Sequence, residues 1–154
     1  FDYVTFKTIN IKQAVTKGLE VCIEAKPIDE LSLKANYTFT DARDTSPDSP
    51  DFDKKLLRRP ESKLGFYTSY SFIPKTNINA EVIWVGVRED VDFSTYQRTE
   101  LKGYVLLNLA AHYDVFDFLR LNARAENLLD TDYEEVYGYG TAGLSFYGGI
   151  KLSL

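Results

Sequence analysis

The feature that most limits what this chain can fold into is an alternation of apolar and polar residues with a period of two. In "LSLKANYTFT", Leu31, Leu33, Ala35, Tyr37 and Phe39 alternate with Ser32, Lys34, Asn36, Thr38 and Thr40. In "FLRLNARAEN", Leu119, Leu121, Ala123 and Ala125 alternate with Arg120, Asn122, Arg124 and Glu126. A helix would spread these charges around its circumference, whereas a strand gathers them on one face. The same parity runs through "GLEVCIEA", "KLGFYTSYSF", "YVLLNLAAHYD" and "LSFYGGIKLSL". It also runs through "NINAEVIWVGVR", where Ile83, Val85 and Val87 blur the polar side, and a weaker strand is expected from Tyr3 to Lys12. The pattern predicts an all-β chain of about eight strands with no helix.

The connections between these strands alternate in length. Short ones are expected at Lys26 to Glu30, Ile73 to Thr76 and Val115 to Phe118. Long polar ones are expected at Asp41 to Pro60, Arg88 to Gly103 and Asn127 to Gly143. Only a link at Gln13 to Gly18 is short on the long-loop side. Consecutive antiparallel strands joined this way form an up-and-down meander with its long loops at one end. Outer-membrane barrels have this asymmetry of tight turns and long loops.

Alternation alone fits a soluble barrel as well as a membrane one, because inside and outside exchange. Three features favour the membrane. Charges such as Glu20, Glu24, Lys34, Arg120 and Arg124 sit mid-strand on the polar parity. The apolar parity runs about five residues per strand, near the ~9–11-residue span of a membrane strand. Aromatics gather towards strand ends (Tyr37, Phe39, Tyr70, Phe72, Tyr104, Tyr113, Phe116, Phe118), as interfacial girdles do. The sequence has no apolar run of about 18 residues, so no membrane-spanning helix is expected. A net charge of −5 argues against a nucleic-acid partner. With no methionine in 154 residues, Phe1 is not expected to be a translation start, and the chain is expected to be a piece of something longer.

Candidate chemistry is sparse. Cys22 is the single cysteine and His112 the single histidine, so neither a transition-metal site nor a histidine-based triad can be assembled. His112 is expected to hydrogen-bond on the polar face. The aspartates of "DARDTSPDSPDFD" (Asp41, Asp44, Asp48, Asp51, Asp53) offer oxygen ligands to a hard cation, but their spacing is not that of an EF-hand. With its two prolines this segment is expected to be an extended, solvated loop. The basic "KKLLRR" is expected to meet lipid headgroups or neighbouring acids. "YGYGTAG" lacks the lysine of a phosphate loop. The expectation is therefore no catalytic residue, no metal site and no cofactor.

The stretch "ARAENLLDTDYEEVYGYGTAGLSFYGGI" resembles the C-terminal signature of TonB-dependent outer-membrane receptors, most closely the vitamin B12 (cobalamin) receptors among them. The matching residues include Asn127, Leu128, Leu129, Asp130, Tyr133, Val136, Tyr137, Gly138, Tyr139, Thr141, Ala142 and Gly143. "GLEVCIEA", "YTFTDARD" and "LLRRPESKLGFY" look like successive strands and loops of the same family, so the resemblance spans essentially the whole chain. Asn127 and Asp130 suit a strand exit, where their side chains can bond nearby backbone.

The resemblance implies that residues 1–154 are the C-terminal portion of a 22-stranded barrel whose plug lies elsewhere. It implies uptake of a scarce nutrient, a corrinoid or a ferric siderophore, with outer-membrane lipid around the wall and TonB engaged through the missing plug. It also places two ligand-binding residues, Arg58 in the "LLRR" stretch and Phe93 in a following long loop. The competing expectation is a stand-alone eight-stranded barrel with a structural, adhesive or ligand-binding role. An outer-membrane enzyme would need a convergent acid, base or nucleophile at the long-loop rim, and no such set is visible.

Overall fold

A computed structural model of the protein describes residues 13–153, and within them no helix is present. The strands in chain order are β1 (Ala14–Ile28), β2 (Leu31–Asp44), β3 (Ser62–Tyr70), β4 (Thr76–Val85), β5 (Arg88–Val91), β6 (Arg98–Leu101), β7 (Tyr104–Phe116), β8 (Leu119–Glu126), β9 (Glu134–Val136), β10 (Tyr139–Gly140) and β11 (Ser145–Leu152). Seven of them form one antiparallel sheet in the order β1-β2-β3-β4-β7-β8-β11. β5 pairs with β6, and β9 with β10, as separate two-stranded hairpins. The meander predicted by periodicity is therefore present, and the strand expected from Tyr3 to Lys12 lies outside the described residues. Among the described residues the sheet is open, with β1 and β11 at its two edges, rather than a closed small barrel.

Register brings the apolar parity of the strands of the seven-stranded sheet onto one face. Val21 sits opposite Tyr37, Tyr37 opposite Leu64, Leu64 opposite Trp84, and Trp84 opposite Val105. Lower in the wall, Ala80 faces Leu109, Leu109 faces Ala125 and Ala125 faces Phe146. No element of the described chain covers this face. Ile23, Phe146 and Ile150 are 63%, 71% and 71% exposed. The chain as a whole exposes 10795 Å², against about 7,900 Å² for a compact protein of this mass.

The opposite face is polar and concave. A hollow of about 760 Å³ is lined by Glu24, Lys34, Tyr67, Glu81, Asn108 and Arg124 among others. Lys34 pairs with Glu24 at 2.8 Å, and the Arg124 guanidinium lies 4.3 Å from the Tyr147 ring centroid. His112 falls on this face between Asn77 and Asn122. A sheet that curls with charge inside and hydrocarbon outside inverts the arrangement of a soluble barrel.

Several expected boundaries move. Ala14 to Gly18 is strand rather than a link, because it pairs with Thr40 to Asp44 and so lengthens both β1 and β2. At 15 and 14 residues these strands overshoot the ~9–11 residues that cross a bilayer. Likewise β5–β6 and β9–β10 are hairpins inside segments expected to be irregular loops. At the short-turn end the aromatic girdle is present, with Tyr70 stacked on Phe72 at 5.0 Å and Phe116 on Phe118 at 5.4 Å. Tyr104 is not part of a girdle. Its parity is that of the concave face, and it packs on Tyr133.

Candidate functional site

Among the described residues the buried apolar ones are few (Ala42, Val85, Val91 and Leu101) and lie at the long-loop end. This explains why Val85 departs from the polar parity of β4: it sits under the loops rather than in the open hollow. Around this small dry core the 45–61 connection and the two hairpins pack into a rim, and the rim is held by charge.

Its centre is the β5–β6 hairpin. Asp90 is fully buried. Its Oδ1 accepts the Arg58 Nε–H at 2.9 Å and the Val91 N–H at 2.8 Å, while Oδ2 accepts the Tyr137 N–H at 2.8 Å. Burial by itself would raise the Asp90 pKa, but these backbone N–H groups and the Arg58 cation outweigh it and hold the carboxyl below the usual range. Two further arginines extend the network. Arg98 donates to Glu89 Oε2 at 2.6 Å, pairs with Asp51 at 3.2 Å and donates to the Lys55 carbonyl. Arg88 is buried, donates to the Glu134 carbonyl and lies 5.3 Å from the centroid of the Tyr104 ring. Tyr104 in turn packs on Tyr133, ring centroids 4.3 Å apart.

The two residues expected to bind ligand are brought together here. Arg58 leaves the preceding turn with φ of 59° and is anchored by its N–H to the Glu89 carbonyl at 2.7 Å. Its guanidinium carbon lies 5.6 Å from the centroid of the Phe93 ring, within cation–π range. The Arg58 side chain is 42% exposed and Phe93 44% exposed, so both present an open side to water.

The 127–143 stretch forms a brace. Asn127 is buried at φ of 49°, a conformation asparagine tolerates. Its N–H donates to Asn108 Oδ1 at 2.9 Å and its Oδ1 accepts the Thr131 N–H at 2.9 Å. Its Nδ2 donates to the carbonyls of Thr131 and Ala142. One side chain thereby closes the turn leaving β8 and ties it to the chain returning to β11. The Leu128 N–H reaches back to the Leu107 carbonyl at 2.8 Å. Asp130 accepts the Leu144 N–H at 2.9 Å, and a Cβ on Gly143 would sit 2.7 Å from that carboxylate oxygen. The Tyr133 carbonyl accepts the Thr141 hydroxyl, Tyr137 supplies its N–H to Asp90, and Gly138 turns with φ of 79°. Tyr139 is 66% exposed at the hairpin end.

The aspartate-rich segment is not the extended loop expected of it. Asp44 and Ser46 are buried, and the Asp44 carboxylate accepts the Ser46 N–H at 2.7 Å and the Ser49 hydroxyl at 2.6 Å. Asp41 and Asp53 face Arg43, while Asp51 faces Lys54 and Arg98. Among the described residues no group of three or more metal-ligating side chains is present. The basic stretch meets neighbouring acids, Lys55 pairing with Glu61 at 2.6 Å and Arg58 with Asp90. Sequence reasoning missed Asp90, Arg88 and Arg98. The available signal was that Arg88 and Asp90 share a parity in "REDVDF", the mark of a short strand inside a long loop.

Comparison with known proteins agrees with this architecture. Residues 1–128 match the family described as TonB dependent receptor-like, beta-barrel. The fold superposes on FpvA of P. aeruginosa, solved with a heterologous pyoverdine and iron, with a TM-score of 0.74 at 23% identity over 90% of this chain and 19% of that one. It superposes on the ferric-catecholate import receptor Fiu of E. coli K12 with a TM-score of 0.77 at 18% identity, over 90% and 21% of the two chains. The copper transporter OprC gives 0.73 at 18% identity, over 92% and 24%. This chain thus spans about a fifth of the length of the structures it matches. Its meander, its inverted polarity and the family match agree: the chain belongs to the TonB-dependent receptor β-barrel family and forms part of a transmembrane barrel of the cell outer membrane.

Proposed function

We propose that this chain is the C-terminal portion of an outer-membrane receptor that takes up a scarce nutrient as a small chelate, a ferric siderophore foremost. In this reading the convex apolar face meets lipid, the long-loop rim faces the outside, and the hollow faces the lumen. Uptake is coupled to TonB through the receptor's plug.

The observation that carries the reading is the paired, half-open surface of Arg58 and Phe93 at the rim. The Arg58 Nε–H is committed to Asp90 while the side chain remains substantially exposed. A cation beside an aromatic face suits an anionic chelate with flat aromatic or amide groups. The similar folds of FpvA, a pyoverdine receptor, and Fiu, a ferric-catecholate import receptor, support the iron-chelate choice. A corrinoid is the second reading. It is favoured by the resemblance of the 127–143 stretch to cobalamin receptors.

The test is equilibrium binding of a ferric catecholate, a ferric pyoverdine and cyanocobalamin to the full-length receptor in detergent, with uptake measured in cells with and without TonB. The expected result is saturable binding of an iron chelate, weakened about tenfold or more by Arg58→Ala, as for a central charged contact. Tight cobalamin binding without iron-chelate binding selects the second reading. Binding of none of the three, or uptake indifferent to TonB, removes the proposal.

A further inference from the structure

We infer that Asp90 is the node that makes three rim segments move as one body, a positioning residue rather than a ligand contact. The three segments are the 45–61 connection, the β5–β6 hairpin that carries Asp90, and the 127–143 stretch with the β9–β10 hairpin. The coupling itself needs no ligand. Only its consequence for binding rests on the function proposed above.

Asp90 has no exposed surface, so its charge is answered entirely by protein. The donors come from far apart in the chain: Arg58 lies 32 residues before it and Tyr137 lies 47 after it. The two carboxylate oxygens divide the work. Oδ1 holds the 45–61 arm through Arg58, and Oδ2 holds the 127–143 arm through the Tyr137 N–H. Each arm has a secondary hold on the same hairpin. The Arg58 N–H binds the Glu89 carbonyl and Arg98 reaches the Lys55 carbonyl and Asp51, while Arg88 reaches the Glu134 carbonyl. The β5–β6 hairpin is therefore the keystone, with one arm on either side.

Removing the buried carboxylate strands both arms together. Arg58 is left without its counter-charge, in a left-handed backbone conformation that a non-glycine residue seldom adopts, and the Tyr137 N–H loses an acceptor out of reach of water. Removing Arg58 instead frees one arm and leaves the Tyr137 hold on Oδ2 in place. Under the proposed function, a chelate drawing on the open side of Arg58 is then sensed at the β9–β10 hairpin through Asp90.

The asymmetry between the two variants is the test. Hydrogen–deuterium exchange is followed by mass spectrometry on the full-length receptor in detergent, for wild type, Asp90→Ala and Arg58→Ala. Peptides covering residues 45–61 and 127–143 are expected to exchange about tenfold faster or more in Asp90→Ala, both together, the effect of losing both acceptor oxygens of a buried charge. In Arg58→Ala only the 45–61 peptides are expected to accelerate. Peptides of β3, of β7 and of Leu31 to Phe39 in β2 serve as the reference for the wall and are expected to stay at wild-type rates. The inference falls if Asp90→Ala leaves both arms protected, if Arg58→Ala releases both arms equally, or if the wall peptides accelerate with them. Arg58→Ala with released 45–61 peptides and unchanged chelate affinity counts against the ligand role of Arg58 and leaves the coupling intact.

Discussion

Strand β2 passes through two regimes within 14 residues. From Leu31 to Phe39 its odd residues point to a face that no other element covers. From Asp41 to Asp44 the odd positions are charged, and the even ones, Ala42 and Asp44, are buried beneath folded loops. The lower part is wall and the upper part is rim. In the wall the apolar side chains stand on an uncovered face suited to hydrocarbon, and the backbone is satisfied strand to strand. In the rim the apolar core is small, and order comes largely from carboxylates paired with guanidinium groups around the buried Asp90. Wall stability should therefore respond to charge placed in the apolar face, and rim stability to charge taken away.

The largest expected effect is in the wall. Leu109→Arg, between Ala80 and Ala125 on the apolar face, should destabilise the full-length barrel by about 2–4 kcal/mol in lipid, as a cation does at a bilayer midplane. Denaturant unfolding from vesicles measures this. Asn79→Arg, on the concave face, should leave the midpoint nearly unchanged. Equal costs for the two would break the assignment of lipid and water to the two faces.

Next is the brace of the rim. Asn127→Ala removes the acceptor of the Thr131 N–H and the donor to two carbonyls, and should cost about 2 kcal/mol by the same unfolding measurement. Asn127→Gly relieves only the left-handed backbone and should recover little of this loss. A full recovery would show that conformation rather than hydrogen bonding holds the turn.

A smaller, local effect should appear with acid. Asp90 is held below the usual range as described, and Asp44 is held there by the Ser49 hydroxyl and the Ser46 N–H. A carboxyl with a lowered folded pKa contributes stability above its unfolded value of about 3.9, and that contribution is lost as pH falls through the folded value. Rim peptides should thus lose exchange protection below about pH 4, after correction for intrinsic rates, while wall peptides keep theirs. Wall and rim opening together would erase the distinction. Smallest of all is Lys34→Ala. Its partner Glu24 is largely exposed in the hollow, and the unfolding midpoint should not shift measurably.

Much of the wall was legible in the sequence because side-chain parity in a strand is a local property. Leu31 to Phe39 and Leu119 to Ala125 read the same in the chain and in the sheet. The rim was legible only in outline. Asn127 and Asp130 stood out as turn formers, yet the bonds that explain them come from Asn108, Ala142 and Leu144. Asp90 looked like one acid among many in a polar loop. Its burial depends on donors 32 and 47 residues away, and no local pattern carries that information. Tyr104 was misplaced for the same reason, since its position at a strand end suited a girdle until Arg88 and Tyr133 were found against it.

By itself the sequence determined that the chain is a meander of strands with one greasy face, one charged face and its long connections at one end. Alternation with a period of two fixes the two faces, because each residue's face follows from its count along the strand, and the alternating connection lengths fix the meander. Only the tertiary structure decided which face is concave and which carboxylates are buried. It also decided that the long loops fold against one another, because curvature and charge pairing arise between segments distant in the chain.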